Sequence, residues 1–207
     1  MKLLKNYLFT LLTGIVIISC SENESVCPDE NHPHAIDLGL PSGTKWACCN
    51  VGAPSPENAG GYYAWSETEV KSDYTHNVSN LLALHNIINI ARTQYDVAQA
   101  KMGLSYAMPT LEEWKELKDY CDWKWGKYKG TSGRYVTGPN GKKVFLPAGG
   151  GRYGSDPLYG ENERGAYWAA DYNVEEEAPF CFEFHNGYCW SGAESRPCGY
   201  NVRAILR

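Results

Sequence analysis

The chain has 207 residues, a formal net charge of −5 at pH 7 and eight cysteines. This length is enough for one well-cored domain and short for two. The acidic balance provides no basic patch to neutralise phosphates, so it argues against nucleic-acid binding. Abundant glycine, tyrosine and tryptophan, with little phenylalanine or methionine, are typical of a loop-rich, mostly β domain with aromatic packing.

The N-terminus has the features of an export signal that ends at Cys20. Lys2 and Lys5 precede an apolar run over residues 7–18, and a small residue stands directly before the cysteine. The run is too short to span a bilayer comfortably, and no Ala-x-Ala cleavage site is present. The arrangement resembles a bacterial lipoprotein signal peptide, in which the cysteine receives a diacylglycerol and the chain is cut just before it. We therefore expect residues 1–19 to be removed and Cys20 to be lipidated, with an ordinary signal peptide or a transmembrane helix as the alternatives.

Residues 20–34 are polar and are interpreted as the lipidated cysteine followed by a flexible tether. Five side chains in this segment could ligate a metal: Cys27, Asp29, Glu30, His32 and His34. A flexible tether does not preorganise ligands, and the chain has no Cys-x-x-Cys pair or regular Cys/His spacing. We therefore assign no metal ligand and no cofactor at this point.

A folded domain is expected over residues 35–207. Alternation over 36–40, a Pro-Ser-Gly turn and a return over 45–51 predict an opening β-hairpin, and 62–65 predicts a short aromatic strand. Helical spacing predicts helices over 81–91 and 96–102.

The clearest local signal is a capping box. Thr110 and Glu113 have the spacing at which each side chain can bond the other residue's backbone amide, and an amphipathic helix follows. Beyond it the sequence favours β-strands, with tight turns predicted at Asn140-Gly141 and at residues 185–187. Alternation places Phe180, Phe182 and Phe184 on one strand face, with Cys181, Glu183 and His185 on the other.

Eight segments occur in an order that resembles one known family. They are IDLGLPSGTKWA (36–47), NVGA (50–53), YAWSET (63–68), MPTLEEW (108–114), VTGPNG (136–141), FLPAGG (145–150), YW (167–168) and VRA (202–204). Together they resemble the Fibrobacter succinogenes major paralogous domain, which is common in lipoproteins and surface proteins of Bacteroidetes-type bacteria. That family is similar to the C-type-lectin-like superfamily, which includes the formylglycine-generating enzyme.

The resemblance implies an α+β, C-type-lectin-like fold with small antiparallel sheets, one or two helices and long loops. It also implies pairing of the first and last strands, here 45–51 with 200–206. Family members often carry cysteines at the positions of Cys49 and Cys121, which favours a bridge between them. Cys181 and Cys189 flank one turn and could form a second bridge.

No complete catalytic motif is present, so we predict no catalytic residues and no enzyme activity. The Cys189 and Cys198 pair lacks the surrounding motifs of formylglycine-generating enzymes, and the calcium-binding signatures of true C-type lectins are missing. The runner-up hypotheses are an oxidoreductase related to those enzymes and a structural or adhesin subunit.

The second half of the chain is the expected location of a ligand face. Its candidate residues are aromatic or arginine side chains in loops and turns: Arg152, Tyr153, Tyr159, Tyr188, Trp190 and Arg196. Trp46 and Trp168 are instead predicted to be core. The sequence thus predicts a non-catalytic binding module for a glycan or surface-protein ligand. We expect it to be held at the outer membrane by its N-terminal lipid, with display at the cell surface as a further hypothesis.

Overall fold

The computed structural model describes residues 26–75, 87–155 and 158–206. These residues form three small antiparallel sheets and two helices, a β-rich arrangement compatible with the expected α+β class. The helices are α1 (Val97–Met102) and α2 (Leu111–Tyr120). The strands are β1 (Ala35–Asp37), β2 (Lys45–Asn50), β3 (Tyr106–Ala107), β4 (Asp122–Tyr128), β5 (Thr131–Thr137), β6 (Lys143–Pro147), β7 (Arg164–Asn173), β8 (Ala178–His185), β9 (Cys189–Ala193) and β10 (Arg203–Leu206).

The first sheet joins the early and late parts of the chain. Its order is β1-β2-β10-β3, and β10 pairs antiparallel with β2, with Arg203 opposite Asn50 and Ile205 opposite Trp46. This confirms the predicted pairing of the first and last long strands. β1 also pairs with β2, which confirms the opening hairpin.

The other two sheets are meanders, β4-β5-β6 and β7-β8-β9. Gly141 closes the β5–β6 turn at φ 82°, and Gly187 lies in the β8–β9 turn at φ 126°. Residues other than glycine are disfavoured at such angles. This is why Asn140-Gly141 and Asn186-Gly187 act as turn signals. Both predicted hairpins are therefore confirmed.

The β7–β8 pair separates two hydrophobic clusters. Trp168 and Cys181 pack in the cluster on one face, and the three phenylalanines of β8 contact the cluster on the other. The second face is covered by α2, whose Trp114 ring stacks on Phe182 with centroids 4.8 Å apart. The predicted alternation of β8 is confirmed, and Trp46 and Trp168 are fully buried core residues as expected.

Helix α2 begins at its predicted cap, and α1 closely matches the helix predicted over residues 96–102. Thr110 and Glu113 form the reciprocal capping box of α2. Asp96 caps α1 by accepting the backbone N–H groups of Ala98 and Gln99, and it also accepts the N–H of Met108. One buried carboxylate therefore ties α1 to the segment before α2.

The helix predicted over residues 81–91 lies mostly outside the described residues. Its described end, residues 87–91, is not helical. The N–H of Ile90 donates to the carbonyl of Ala170 at 2.9 Å, and the N–H of Tyr172 donates to the carbonyl of Ile88 at 2.9 Å. Hydrogen bonding to β7 therefore replaces helical hydrogen bonding there.

Neither predicted disulfide is formed, because Cys49, Cys121, Cys181 and Cys189 are all unpaired thiols. Cys49 packs in a small cluster beside Cys48, whereas Cys121 packs against the large hydrophobic cluster that contains Trp114 of α2. Cys181 and Cys189 contact opposite faces of the β7–β8–β9 sheet, since Cys181 is opposite Gly192 and Cys189 is opposite Phe184. The first two cysteines therefore lie in different clusters, and the second two lie on opposite faces of one sheet.

The described part of the predicted tether lies against β2. Val26 and Cys27 are buried, and the N–H of Cys48 donates to the carbonyl of His34 at 2.8 Å. The expected leader and Cys20 lie outside the described residues. Across 26–75, 87–155 and 158–206, no helix is long and apolar enough to cross a membrane.

Candidate functional site

An ion pair on β7 and β8 forms the centre of the first candidate site. The Arg164 guanidinium lies 3.1 Å from the Glu183 carboxylate, and both side chains are largely buried. Glu183 also accepts the hydroxyl of Tyr200 at 3.0 Å, and Arg164 donates to the hydroxyl of Tyr153. Burial alone would lower the pKa of the Arg164 guanidinium, but the Glu183 charge and the tyrosine hydroxyls raise it overall. Arg164 therefore stays charged.

Aromatic rings surround this ion pair. The Arg164 guanidinium lies 5.2 Å from the ring centroid of Tyr159 and 5.6 Å from that of Tyr153. Burial first, and then the Glu183 charge, raise the pKa of the Tyr200 hydroxyl well above its usual value. Tyr200 is therefore a neutral hydrogen-bond donor to the carboxylate.

Sheet register extends the site across β8 to β9. His185 is directly opposite Arg164, and Trp190 is directly opposite Glu183, so these four side chains share one face. The ring of Tyr188 stacks on His185 with centroids 4.8 Å apart. We call this surface the aromatic face, defined by Tyr159, Arg164, His185, Tyr188 and Trp190.

The aromatic face holds most of the strongly exposed aromatic rings. Tyr159 is 65% exposed, Tyr188 58% and Trp190 46%, and the fourth such ring in the described ranges is Tyr120 on α2. The Trp190 indole lies over Gly192, where any side chain would collide with the ring. Gly192 therefore lets the indole lie flat along β9, an edge strand.

Four of the six predicted ligand-face residues belong to this region, namely Tyr153, Tyr159, Tyr188 and Trp190. The other two lie elsewhere: Arg152 is 5.0 Å from the ring of Tyr62, and Arg196 is 4.4 Å from the ring of Tyr172. The sequence-based prediction missed Arg164, Glu183 and His185. The β8 alternation places the last two on the face opposite the phenylalanines, so a signal for them was present.

A second candidate site combines the predicted tether with β2. Four side chains converge there, with every ligand atom within 4.8 Å of the others: Cys27, His32, His34 and Cys48. The Cys27 Sγ atom lies 3.2 Å from His32 Nδ1 and 3.0 Å from His34 Nδ1. The Cys48 Sγ atom lies 3.4 Å and 3.8 Å from the same two nitrogens. These atoms could hold a metal ion, at a place where the sequence analysis assigned no metal ligand.

The surroundings of Cys48 favour ionisation of its thiol. Its sulfur lies 3.4 Å from the Cys49 sulfur, a contact in which either thiol can donate, and accepts the backbone N–H of His34 at 3.0 Å. The Cys49 thiol is the main cause that lowers the pKa of Cys48, to about 4. Burial, followed by the neighbouring Cys48, raises the pKa of Cys27 to about 12. The two shifts run in opposite directions, so Cys48 loses its proton more readily than Cys27.

The two cysteines named for formylglycine-type chemistry do not share a site. Cys189 contacts the hydrophobic cluster that contains Trp114 of α2. Cys198 is buried in the cluster on the opposite face of the β7–β8 pair. Burial raises the pKa of both thiols, that of Cys198 to about 12.

No protein-family model, no curated protein and no solved structure matches the chain. The resemblance to the major paralogous domain therefore rests on the eight sequence segments and stays a prediction.

Proposed function

We propose that this protein is an exported lipoprotein whose domain binds a glycan without catalysing a reaction. The proposal includes a lipid on Cys20, attachment to the outer membrane and a C-type-lectin-like architecture. The motif order supports that architecture, as do the small antiparallel sheets and the pairing of β2 with β10. A formylglycine-type enzyme and an adhesin subunit are the two alternatives.

The observation that carries the glycan proposal is the aromatic face. A sugar ring has a flat C–H surface, which packs on an exposed aromatic ring, and hydroxyl groups, which require fixed polar partners. Trp190 and Tyr159 offer exposed rings of this kind. The Arg164–Glu183 pair adjoins both, since Arg164 lies 5.2 Å from the Tyr159 ring and Glu183 is opposite Trp190 in the sheet. Hydrogen bonds with Tyr153 and Tyr200 hold this pair in place. A rigid polar centre flanked by flat rings reduces the entropy lost on binding.

A glycan array probed with the full-length protein tests this proposal. We expect binding to a defined subset of glycans, and a roughly 10-fold or larger loss of affinity in Trp190→Ala and in Tyr159→Ala, because each ring supplies about 1–2 kcal/mol of contact. Tyr120→Ala is the matched control, since this tyrosine is 56% exposed but lies on α2. Equal binding by all three variants would remove the aromatic face from the site. Absence of glycan binding by the unaltered protein would shift the proposal to a protein ligand.

Lipidation is tested separately by mass spectrometry of the membrane fraction. We expect the mature chain to begin at Cys20 and to carry a diacylglycerol mass, because the cysteine thiol is the acceptor. Cys20→Ser is expected to abolish the added mass, and Cys27→Ser to leave it unchanged. An unacylated chain that keeps its first nineteen residues would contradict the anchor. Protease shaving of intact cells then distinguishes outward display, which releases the domain, from a periplasmic orientation, which does not.

A further inference from the structure

We propose that Cys27, His32, His34 and Cys48 form a structural zinc site that fastens residues 27–34 to strand β2. The proposal is independent of the glycan site, which lies on the β7–β8–β9 sheet.

The spacing of the donor atoms matches a tetrahedral ion. Zinc–sulfur bonds of about 2.3 Å and zinc–nitrogen bonds of about 2.0 Å place neighbouring ligand atoms of a tetrahedron roughly 3.5 Å apart. The four sulfur–nitrogen distances are 3.2, 3.0, 3.4 and 3.8 Å. These four distances all lie within about 0.5 Å of the tetrahedral value, and all four ligand atoms lie within 4.8 Å of one another.

The donor set favours zinc over harder cations. Two thiolates and two imidazoles form a Cys2His2 set, which is typical of structural zinc, whereas calcium and magnesium prefer oxygen ligands. Both histidines direct Nδ1 towards the two sulfurs. With four protein ligands the coordination shell is closed, so the site holds the chain together and leaves no position for substrate.

Groups outside the four ligands are arranged to support the ion. The Asp29 carboxylate lies 3.2 Å from Nε2 of His34, so it can hold the Nε2 proton and leave Nδ1 free to ligate. The backbone N–H of His34 donates to Cys48 Sγ at 3.0 Å, a bond that stabilises a metal-bound thiolate. Carboxylate–histidine–metal and N–H-to-sulfur contacts are both common around bound zinc.

Burial and access are also consistent with a metal site. Cys48 is fully buried and Cys27 is 8% exposed, while the two histidines are half-buried. Cys27 and His34 line an open cleft together with Lys45 and Lys143, and this cleft provides an entry path. Three ligands come from one eight-residue segment and the fourth from β2, so the ion would join the N-terminal segment to the first sheet.

The test uses the full-length protein, purified in detergent under reducing conditions and loaded with zinc or cobalt. We expect about one zinc per chain by elemental mass spectrometry. Cobalt substitution should give thiolate-to-cobalt charge-transfer bands and the intense visible bands of a tetrahedral ion. Because the cobalt spectrum is read on the unaltered protein, it does not depend on any variant folding.

Variants then assign the ligands. Cys48→Ser and His34→Ala should each weaken zinc binding by more than about 100-fold, and Asp29→Asn by about 10-fold, since it only orients His34. Cys121→Ser, which removes a half-buried thiol elsewhere, should bind zinc like the unaltered chain. Substoichiometric zinc, an octahedral cobalt spectrum or unchanged binding in Cys48→Ser would overturn the proposal. So would a Cys27–Cys48 disulfide that forms equally fast with and without zinc.

Discussion

Replacing Arg203 by methionine is expected to lower the free energy of unfolding by about 4 kcal/mol. Arg203 is completely buried, and its guanidinium donates to the Asn50 side chain at 2.8 Å, to the carbonyl of Ala47 at 2.8 Å and to that of Phe145 at 2.7 Å. It thereby connects β10 with β2 and with β6 of the second sheet. Methionine fills much of the same volume, so the loss reports the hydrogen bonds rather than a cavity.

Urea unfolding of the Arg203→Met variant measures this loss through the midpoint, provided that the denaturant dependence stays constant. Lys127→Met, at an exposed position of β4, is the control and should change stability by less than about 0.5 kcal/mol. An Arg203→Met variant as stable as the unaltered protein would show that the three hydrogen bonds contribute no net stability.

Replacing Trp114 by alanine is expected to cost about 4 kcal/mol through the cavity it creates. This indole is fully buried, stacks on Phe182 and lies 4.7 Å from Trp46, centroid to centroid. Its Nε1–H also donates to the carbonyl of Trp168 at 3.3 Å. The residue is therefore the main connection between α2 and the β7–β8 pair.

Thermal unfolding should register the Trp114→Ala variant as a fall in Tm of roughly 10 °C. Trp125→Ala is the matched control, because this half-buried ring lies at the edge of the cluster, 6.4 Å from the Phe184 ring and 6.0 Å from the Arg134 guanidinium. We expect the control to lose less than about 1.5 kcal/mol. Equal losses in the two variants would contradict the assignment of Trp114 to the centre of this cluster.

The two candidate sites depend on different parts of the fold. The aromatic face needs the register of β7, β8 and β9, which places Arg164 opposite His185 and Glu183 opposite Trp190. The cysteine–histidine cluster needs β2 and the segment before β1. A stability loss from Trp114→Ala is therefore expected to affect the aromatic face more directly, since α2 packs beneath that sheet.

The sequence by itself determined the local features of this protein. The α2 capping box, the α1 boundaries, the two glycine turns and the alternation of β8 follow from backbone preferences and from side-chain periodicity, which act within a few residues. The pairing of the terminal strands was also predicted, though from the family resemblance rather than from these local signals.

Only the tertiary structure decided which distant residues meet. Cys48 joins Cys27, His32 and His34 because β2 lies beside the segment that the sequence pattern predicts to be a flexible tether. The same holds for the partners of Arg203, which come from β2 and β6. Neither predicted disulfide is formed, because Cys49 and Cys121 pack in different clusters and Cys181 and Cys189 lie on opposite faces of one sheet. Such contacts join residues from as few as fourteen to more than one hundred positions apart, and no local preference of the chain encodes them.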